Sequence, residues 1–166
     1  TSEKQLSKDG ISVLLGSLLG DGGFINKNDN KRGLRIGQSY RRRFYAEWKA
    51  RHFSVLGKYS VYESEDAVRY NIPFTKYLAE MERKFSRHDQ NSHRHRKLKI
   101  TSDVLENLGI LGLAIWYQDD GTLVMGKDGY VSSRIYCTKL KYEETVLVIK
   151  WLSQLISAEV TYNFIN

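Results

Sequence analysis

Residues 113–121 read LAIWYQDDG, an apolar run that ends in two adjacent aspartates and a glycine. A helix-like segment that finishes on two like charges beside a turn needs a reason. One reading is ordinary: Gly121 stops the helix, and Asp119 and Asp120 are solvated. The other is that a carboxylate stands where a cation is required. Aspartate at a helix C-terminus meets the negative end of the macrodipole, at a cost of about 0.3–1 kcal/mol. The chain accepts that cost twice, because LLGSLLGDG at residues 14–22 ends in the same way on Asp21 and Gly22.

The two stretches open a repeat. Asp21 and Asp120, taken as equivalent, set an offset of 99 residues. Read on without gaps, Arg35-Ile36 falls on Arg134-Ile135, Ser39 on Thr138, Leu56 on Leu155 and Val61 on Val160. Each copy carries the same order of expected elements. An apolar helix (11–20 and 103–119) leads through a Gly-containing turn into two short strands, near 23–27 with 33–39 and near 122–126 with 130–138. NKNDNKRG and GKDG supply the hairpin turns. Amphipathic helices follow near 41–56 and 142–157. Tyr45, Trp48, Phe53 and Leu56 share one face of the first; Val146, Ile149, Leu152 and Ile156 share one face of the second. Strands start again at 58–63 and 159–164. Only the first copy continues, through a strand near 66–72, a helix at 74–86 and a basic connector at 87–100. The expected class is α+β in two pseudo-symmetric units. Residues 1–100 form the first with its connector, and 101–166 form a second unit lacking its last strand and helix.

Composition sets the class of partner. The 166 residues are 41% hydrophobic, enough to bury a core, and carry a net charge of +7. With a pI near 9.4, that balance points to a polyanion, most often nucleic acid. The single cysteine, Cys137, excludes an internal disulfide framework and a multi-thiolate zinc site. The apolar stretches at 11–19 and 108–117 are too short to span a bilayer, so no membrane partner is expected. TSEKQLSKDG at the start has no apolar signal core, which leaves an intracellular, DNA-containing compartment as the expected location.

The first motif helix carries Ser12, Gly16 and Gly20 on one stripe. Glycine inside a helix costs about 1 kcal/mol, a cost returned if two helix backbones pack very closely. The second copy has Ile115 and Trp116 where the first has Gly16 and Ser17. Two such helices side by side would bring both carboxylates and the free terminal carbonyls together. That makes an all-oxygen site of negative potential, suited to a hard divalent cation such as magnesium. In a basic protein, an acidic spot facing a polyanion reads as a metal site for phosphodiester chemistry.

LLGSLLGDG and LAIWYQDDG resemble the two signature motifs of the LAGLIDADG homing endonucleases, and a two-copy chain resembles their single-chain members. The resemblance covers nearly the whole chain. It implies two αββαββα units whose saddle-shaped antiparallel sheets lie along the major grooves of double-stranded DNA, with the motif helices at the interface. It implies that Asp21 and Asp120 bind magnesium, helped by the carbonyls of Gly20 and Asp119, with the Asp119 side chain ranked below Asp120. Cleavage would hydrolyse both strands and leave staggered 3′ overhangs. Gln38, at the end of LRIGQS, would order water around the metals. Its repeat counterpart is Cys137, for which Thr138 or Lys139 would substitute. Lys97 and Lys99, in RKLKI before the second motif, are the candidate basic catalytic residues.

Other cations are assigned to DNA contacts. Arg41, Arg42 and Arg43 in YRRRF open a helix, where cations are unfavourable, so phosphate contact is expected. Arg35 and Arg134 project from the hairpins, and arginine can grip guanine edges bidentately. Asn26, Lys27, Lys127 and Lys139 are placed to reach bases or phosphates. SRHDQNSHRHRK (86–97) holds His88, His93 and His95 but lacks zinc-ligand spacing and thiolates, so it reads as a basic linker. Two other functions compete: a maturase that binds host intron RNA, and a DNA-binding regulator that has lost catalysis. Retention of both aspartates favours cleavage. The strand at 159–164 would expose an unpaired edge, so a further chain or segment is expected to supply one strand and one helix.

Overall fold

The motif helices form where caps and apolar spacing place them. Ser7 accepts a hydrogen bond from the Gly10 amide at the start of α1 (Lys8–Leu19). Thr101 accepts one from Val104 at the start of α4 (Ser102–Asp120). Both are N-cap bonds of the usual kind. The structure is a computed structural model that describes residues 4–28, 30–86, 98–138 and 140–163, without the side chains of Lys27 and Asn28. Lys97, Lys139 and the three connector histidines lie outside the described residues.

After α1 come β1 (Gly22–Asn28), β2 (Lys31–Ser39), α2 (Arg43–Arg51), β3 (Ser60–Glu63), β4 (Ala67–Thr75) and α3 (Lys76–Phe85). The strands form an antiparallel sheet in the order β1-β2-β4-β3. After α4 come β5 (Gly121–Met125), β6 (Val131–Ile135) and α5 (Tyr142–Ile156). The mixed architecture and the hairpin after each motif helix match the sequence reading. β1 and β2 run further into NKNDNKRG than expected, pairing Asn28 with Lys31.

α1 and α4 pack against each other at their backbones. A Cβ on Gly16 would lie 2.5 Å from the Gly112 carbonyl oxygen, and one on Gly112 would lie 2.8 Å from the Ser12 carbonyl oxygen. The close approach expected of Gly16 is real: it meets the Gly112 backbone first, with the Cβ of its repeat equivalent Ile115 beside it, 3.0 Å from an added Cβ. The pairing splits the core in two. Val13 and Leu14 join Leu34, Ile36 and Leu78 under the four-stranded sheet. Leu15 and Leu19 join Leu105, Leu108, Trp116 and Val148. α4 bends at Gly109, whose backbone is left-handed (φ 55°, ψ −168°). Beside the bend, the Ser12 hydroxyl donates to the Asn107 carbonyl at 2.8 Å.

Three expectations are corrected. α2 buries Ala46, Lys49 and Ala50, with Phe53 just beyond, while Trp48 is 40% exposed. The helix therefore turns its small residues inward, because they let it sit against the sheet. α5 sends Glu144, Val148 and Trp151 inward, leaving Val146 and Ile156 outside. Glu144 is held there by bonds from the Ile100 and Lys141 amides. Last, 159–163 forms no strand. β2 is paired on both edges, whereas β6 pairs only with β5 among the described residues. In the first unit α3 packs on β2, with Arg32 paired to Glu82. The corresponding face of the second hairpin is open: Leu123 is 64%, Met125 76% and Val131 51% exposed.

Gly16→Leu should therefore destabilise the fold by about 1–3 kcal/mol through overpacking. Gly23→Ala, where an added Cβ meets nothing within 4 Å, should leave stability unchanged. Urea unfolding of the two variants checks both outcomes.

A carboxylate site at the ends of the paired helices

Because α1 and α4 run side by side, their C-termini bring Asp21 next to the Asp119–Asp120 pair. The Asp21 amide donates to Asp119 Oδ2 at 3.3 Å. Gln38, buried near the end of β2, joins the two units. Its Nε2 donates to Asp21 Oδ2 at 2.8 Å and to Asp119 Oδ1 at 3.0 Å. One amide group has two hydrogens and can serve both carboxylates. Asp120 follows in sequence, and its carbonyl accepts the Tyr136 amide at 3.3 Å. Burial pushes the Cys137 thiol up, and the Asp120 charge adds to the shift. The repeat partners Gln38 and Cys137 thus each sit beside their own motif aspartate.

Lys49 and Tyr45, on α2, complete the surroundings. Lys49 Nζ lies 3.1 and 3.0 Å from the two Asp119 oxygens. Neither side chain of that pair has any exposed surface. Burial pulls the Lys49 ammonium below its usual range, and the Asp119 charge opposes the shift. Tyr45 packs its ring under both Lys49 and Arg42, 4.4 and 4.8 Å from the ring centre. Burial raises its phenol well above the ordinary value, with the Asp119 charge second. Arg42 donates to the Gln118 carbonyl at 2.8 Å. That places a cation on the negative end of α4, where it is favourable.

The site offers oxygen donors at two helix ends. Asp21 is exposed, whereas both Asp119 oxygens are taken up by Lys49, Gln38 and the Asp21 amide. The aspartates do not form a group of three metal-holding side chains, and none is found elsewhere among the described residues. One or two carboxylates with carbonyls and retained water are what magnesium takes, so this donor set fits a hard divalent cation. The Gly20 and Asp119 carbonyls stand at the same helix ends. Lys99 does not join them. Its amide donates to the Phe85 carbonyl before α4 begins, and a helix of 19 residues, about 28 Å long, separates it from Asp120.

The cations expected on DNA divide by position. Arg35 is exposed on the outer face of the four-stranded sheet and donates to Asn71 at 3.3 Å. Pairing puts Arg69 opposite Gly37 on that same face, with Tyr62 opposite Arg69; Arg69 was not anticipated. Arg134 is exposed opposite Thr122, and Lys127 is exposed at the second hairpin's turn. Asn26 pairs with Arg32 and so faces the other side of the sheet from Arg35. The three arginines also differ. Arg41 is exposed, Arg42 reaches into the site, and Arg43 stacks on Tyr40 and Phe44.

The sequence signal for Lys49 was its spacing. Ala46, Lys49, Ala50 and Phe53 follow i, i+3, i+4, i+7, so a lysine stands inside an apolar stripe. Asp119→Ala would strand that lysine in the interior and should cost about 3–5 kcal/mol of stability. Asp21→Ala, at an exposed residue, should cost little. Thermal and urea unfolding of the two variants distinguish a structural from a solvent-facing carboxylate.

Comparison with known proteins agrees with this architecture. The family model described as LAGLIDADG DNA endonuclease family matches residues 11–163. Among solved structures, the homing endonuclease I-WcaI bound to its DNA recognition sequence superposes with a TM-score of 0.74 at 21% identity, covering 96% of this chain and 73% of that one. That similarity speaks to the fold. Curated relatives include Protein RecA of Mycolicibacterium fallax, 32% identical over 128 residues, and Protein RecA of Mycobacterium shimoidei, 30% identical over 128 residues. Each match takes in 75% of this chain and 28% of the relative, so the chain spans little more than a quarter of those proteins. The family match over nearly the whole chain shows that the chain belongs to the LAGLIDADG DNA endonuclease family.

Proposed function

We propose that this chain is a site-specific DNA endonuclease that makes a staggered double-strand break with the help of a divalent cation, magnesium by its donor chemistry. One observation carries the reading: Asp21 and the Asp119–Asp120 pair meet at one end of the paired helices, in a protein of net charge +7. An acidic spot inside a basic surface is unfavourable for holding a polyanion unless cations bridge the two. I-WcaI, which shares the fold, is bound to its DNA recognition sequence, and double-stranded DNA is the partner proposed here.

Asp21 and Asp120 would hold the cation, with the Gly20 and Asp119 carbonyls beside them. A cation bound there supplies charge stabilisation at the phosphate. Gln38 fixes the Asp21 carboxylate through its 2.8 Å bond. The exposed face bearing Arg35 and Arg69 would face bases in the major groove, with Arg134 and Lys127 doing the same for the second hairpin. Two units, residues 1–100 and 101–166, would each address one half-site. A further chain or segment would complete the second by adding a strand along β6 and a helix over Leu123, Met125 and Val131. That occupant copies what β4 and α3 do for β2.

A plasmid library carrying randomised sites, incubated with magnesium or with EDTA, tests the reading. Wild-type protein should cut a subset of sites only with magnesium. Asp21→Asn and Asp120→Asn should each lose double-strand cleavage and keep DNA binding, since the shape is preserved while a ligand charge is removed. Cleavage at the wild-type rate in either variant would refute the assignment. Retained RNA binding without any nicking would move the reading to a maturase acting on host intron RNA.

Salt dependence provides a second check. Each phosphate contact contributes about −0.9 to the slope of log K against log salt. Arg41→Ala should flatten the slope for every sequence, because Arg41 is the exposed member of its trio. Arg35→Ala and Arg134→Ala should instead relax base preference at separate positions. An unchanged slope for Arg41→Ala would remove that residue from the phosphate contacts.

A further inference from the structure

We propose that Lys49 is a positioning residue for the carboxylate site, acting through Asp119 and Gln38. The inference rests on the reading of Asp21 and Asp120 as the cation-facing pair. It starts from an electrostatic difficulty. Gln38 donates to Asp21 and Asp119 together, at 2.8 and 3.0 Å. Two carboxylates sharing one amide repel each other unless one is neutralised nearby. Lys49 meets that need, touching both Asp119 oxygens at 3.1 and 3.0 Å. The Asp21 amide adds a further bond at 3.3 Å. Asp119 is thus a neutralised, fully bonded anchor, and its negative charge is withheld from solvent.

Lys49 is buried to 0% exposure, so in this arrangement it touches neither DNA nor bulk solvent. Its effect reaches the surface only by relay. Lys49 holds Asp119, Asp119 holds one hydrogen of the Gln38 amide, and the other hydrogen is left aimed at Asp21. Removing the ammonium frees Asp119 to repel Asp21 and to compete for the cation itself.

The relay occurs once and has no repeat-related copy. The offset that equates Asp21 with Asp120 sets Val148 opposite Lys49, Gly20 opposite Asp119 and Cys137 opposite Gln38. None of those three can repeat the ion pair or the bridge. Gly20 has no room to do so, because a Cβ there would run into the Asp119 side chain. The single clamp, with Lys49 and Gln38 from the first unit and Asp119 from the second, therefore serves the shared centre.

The test compares Lys49→Met, the matched neutral pair Lys49→Met with Asp119→Asn, and Asp21→Asn as a control, all in the full chain. Three readouts are taken: the thermal midpoint in EDTA, manganese binding to DNA-free protein by paramagnetic resonance, and kcat and KM for cleavage. Lys49→Met should lower kcat by about 10- to 100-fold, as loss of an outer partner of a metal site does. KM for DNA should stay unchanged, and manganese affinity should shift. The neutral pair should recover most of kcat, the manganese affinity and the midpoint. Wild-type kcat in Lys49→Met would overturn the proposal. So would a folded neutral pair as inactive as the single variant, since Lys49 would then act by itself. If Lys49→Met does not fold, the neutral pair decides alone, and its failure to fold also counts against the proposal. Asp21→Asn should abolish manganese binding; if it does not, the cation-site reading has failed rather than the relay.

Discussion

The backbone contact between Gly16 and Gly112 governs what the rest of the molecule can do. From that crossing α1 runs on to Leu19 and α4 to Asp120, so Asp21, just past the first helix, comes beside the end of the second. No side chain separates them at the crossing, since a Cβ at either glycine would collide with the facing backbone. The neighbouring side chains are therefore forced outward to the two sides. Leu14 enters one hydrophobic cluster and Leu15 the other. One contact thus positions the acidic site and divides the core into halves.

Convergence creates an electrostatic problem that the first unit solves. Two helix C-termini meet, and the carboxylates of Asp21 and Asp119 share the Gln38 amide, so two like charges are held close together and repel. Arg42 sits on the Gln118 carbonyl and Lys49 on the Asp119 carboxylate. Both come from the segment that follows β2, with Tyr45 between them as an aromatic floor. Burial of a lysine is costly unless its charge is paired. Its position is therefore intelligible only together with Asp119, whose burial is equally intelligible only with Lys49.

Much of this was legible in the chain. The motif helices, their aspartate ends and the hairpins follow from local patterns that packing does not overturn. Of the aromatic and aliphatic face read for α2, Phe53 and Leu56 are buried, but Trp48 is exposed and Ala46 and Ala50 are what fit the sheet. Lys49 is hard to read locally, since a lysine is normally solvent-facing and its partner lies 70 residues away in sequence. α5 departs from its apolar stripe for a related reason. Its buried Glu144 is there to accept the Ile100 amide, a demand made by a distant segment. The strand expected at 159–164 is not formed over 159–163. A lone strand leaves its amides and carbonyls unpaired, so it forms only beside a neighbour. Hydrophobic rhythm signals the capacity for a strand and says nothing about whether a partner edge is in reach.

The repeat is accordingly a symmetry of backbone rather than of chemistry. Helix, hairpin and helix recur at the same offset, but the centre is too narrow for both copies to place a side chain there. Asp119 takes the space, and Gly20 must stay bare. Once one unit supplies the anion, the compensating cation must come from whichever helix faces it, and that is α2. Its counterpart α5 is released from the duty and carries Val148 at the equivalent position, packed among Leu15, Leu105 and Trp116. The differences between the copies at Lys49/Val148, Gln38/Cys137 and Asp119/Gly20 thus meet at one crowded centre, which has room for a single buried carboxylate.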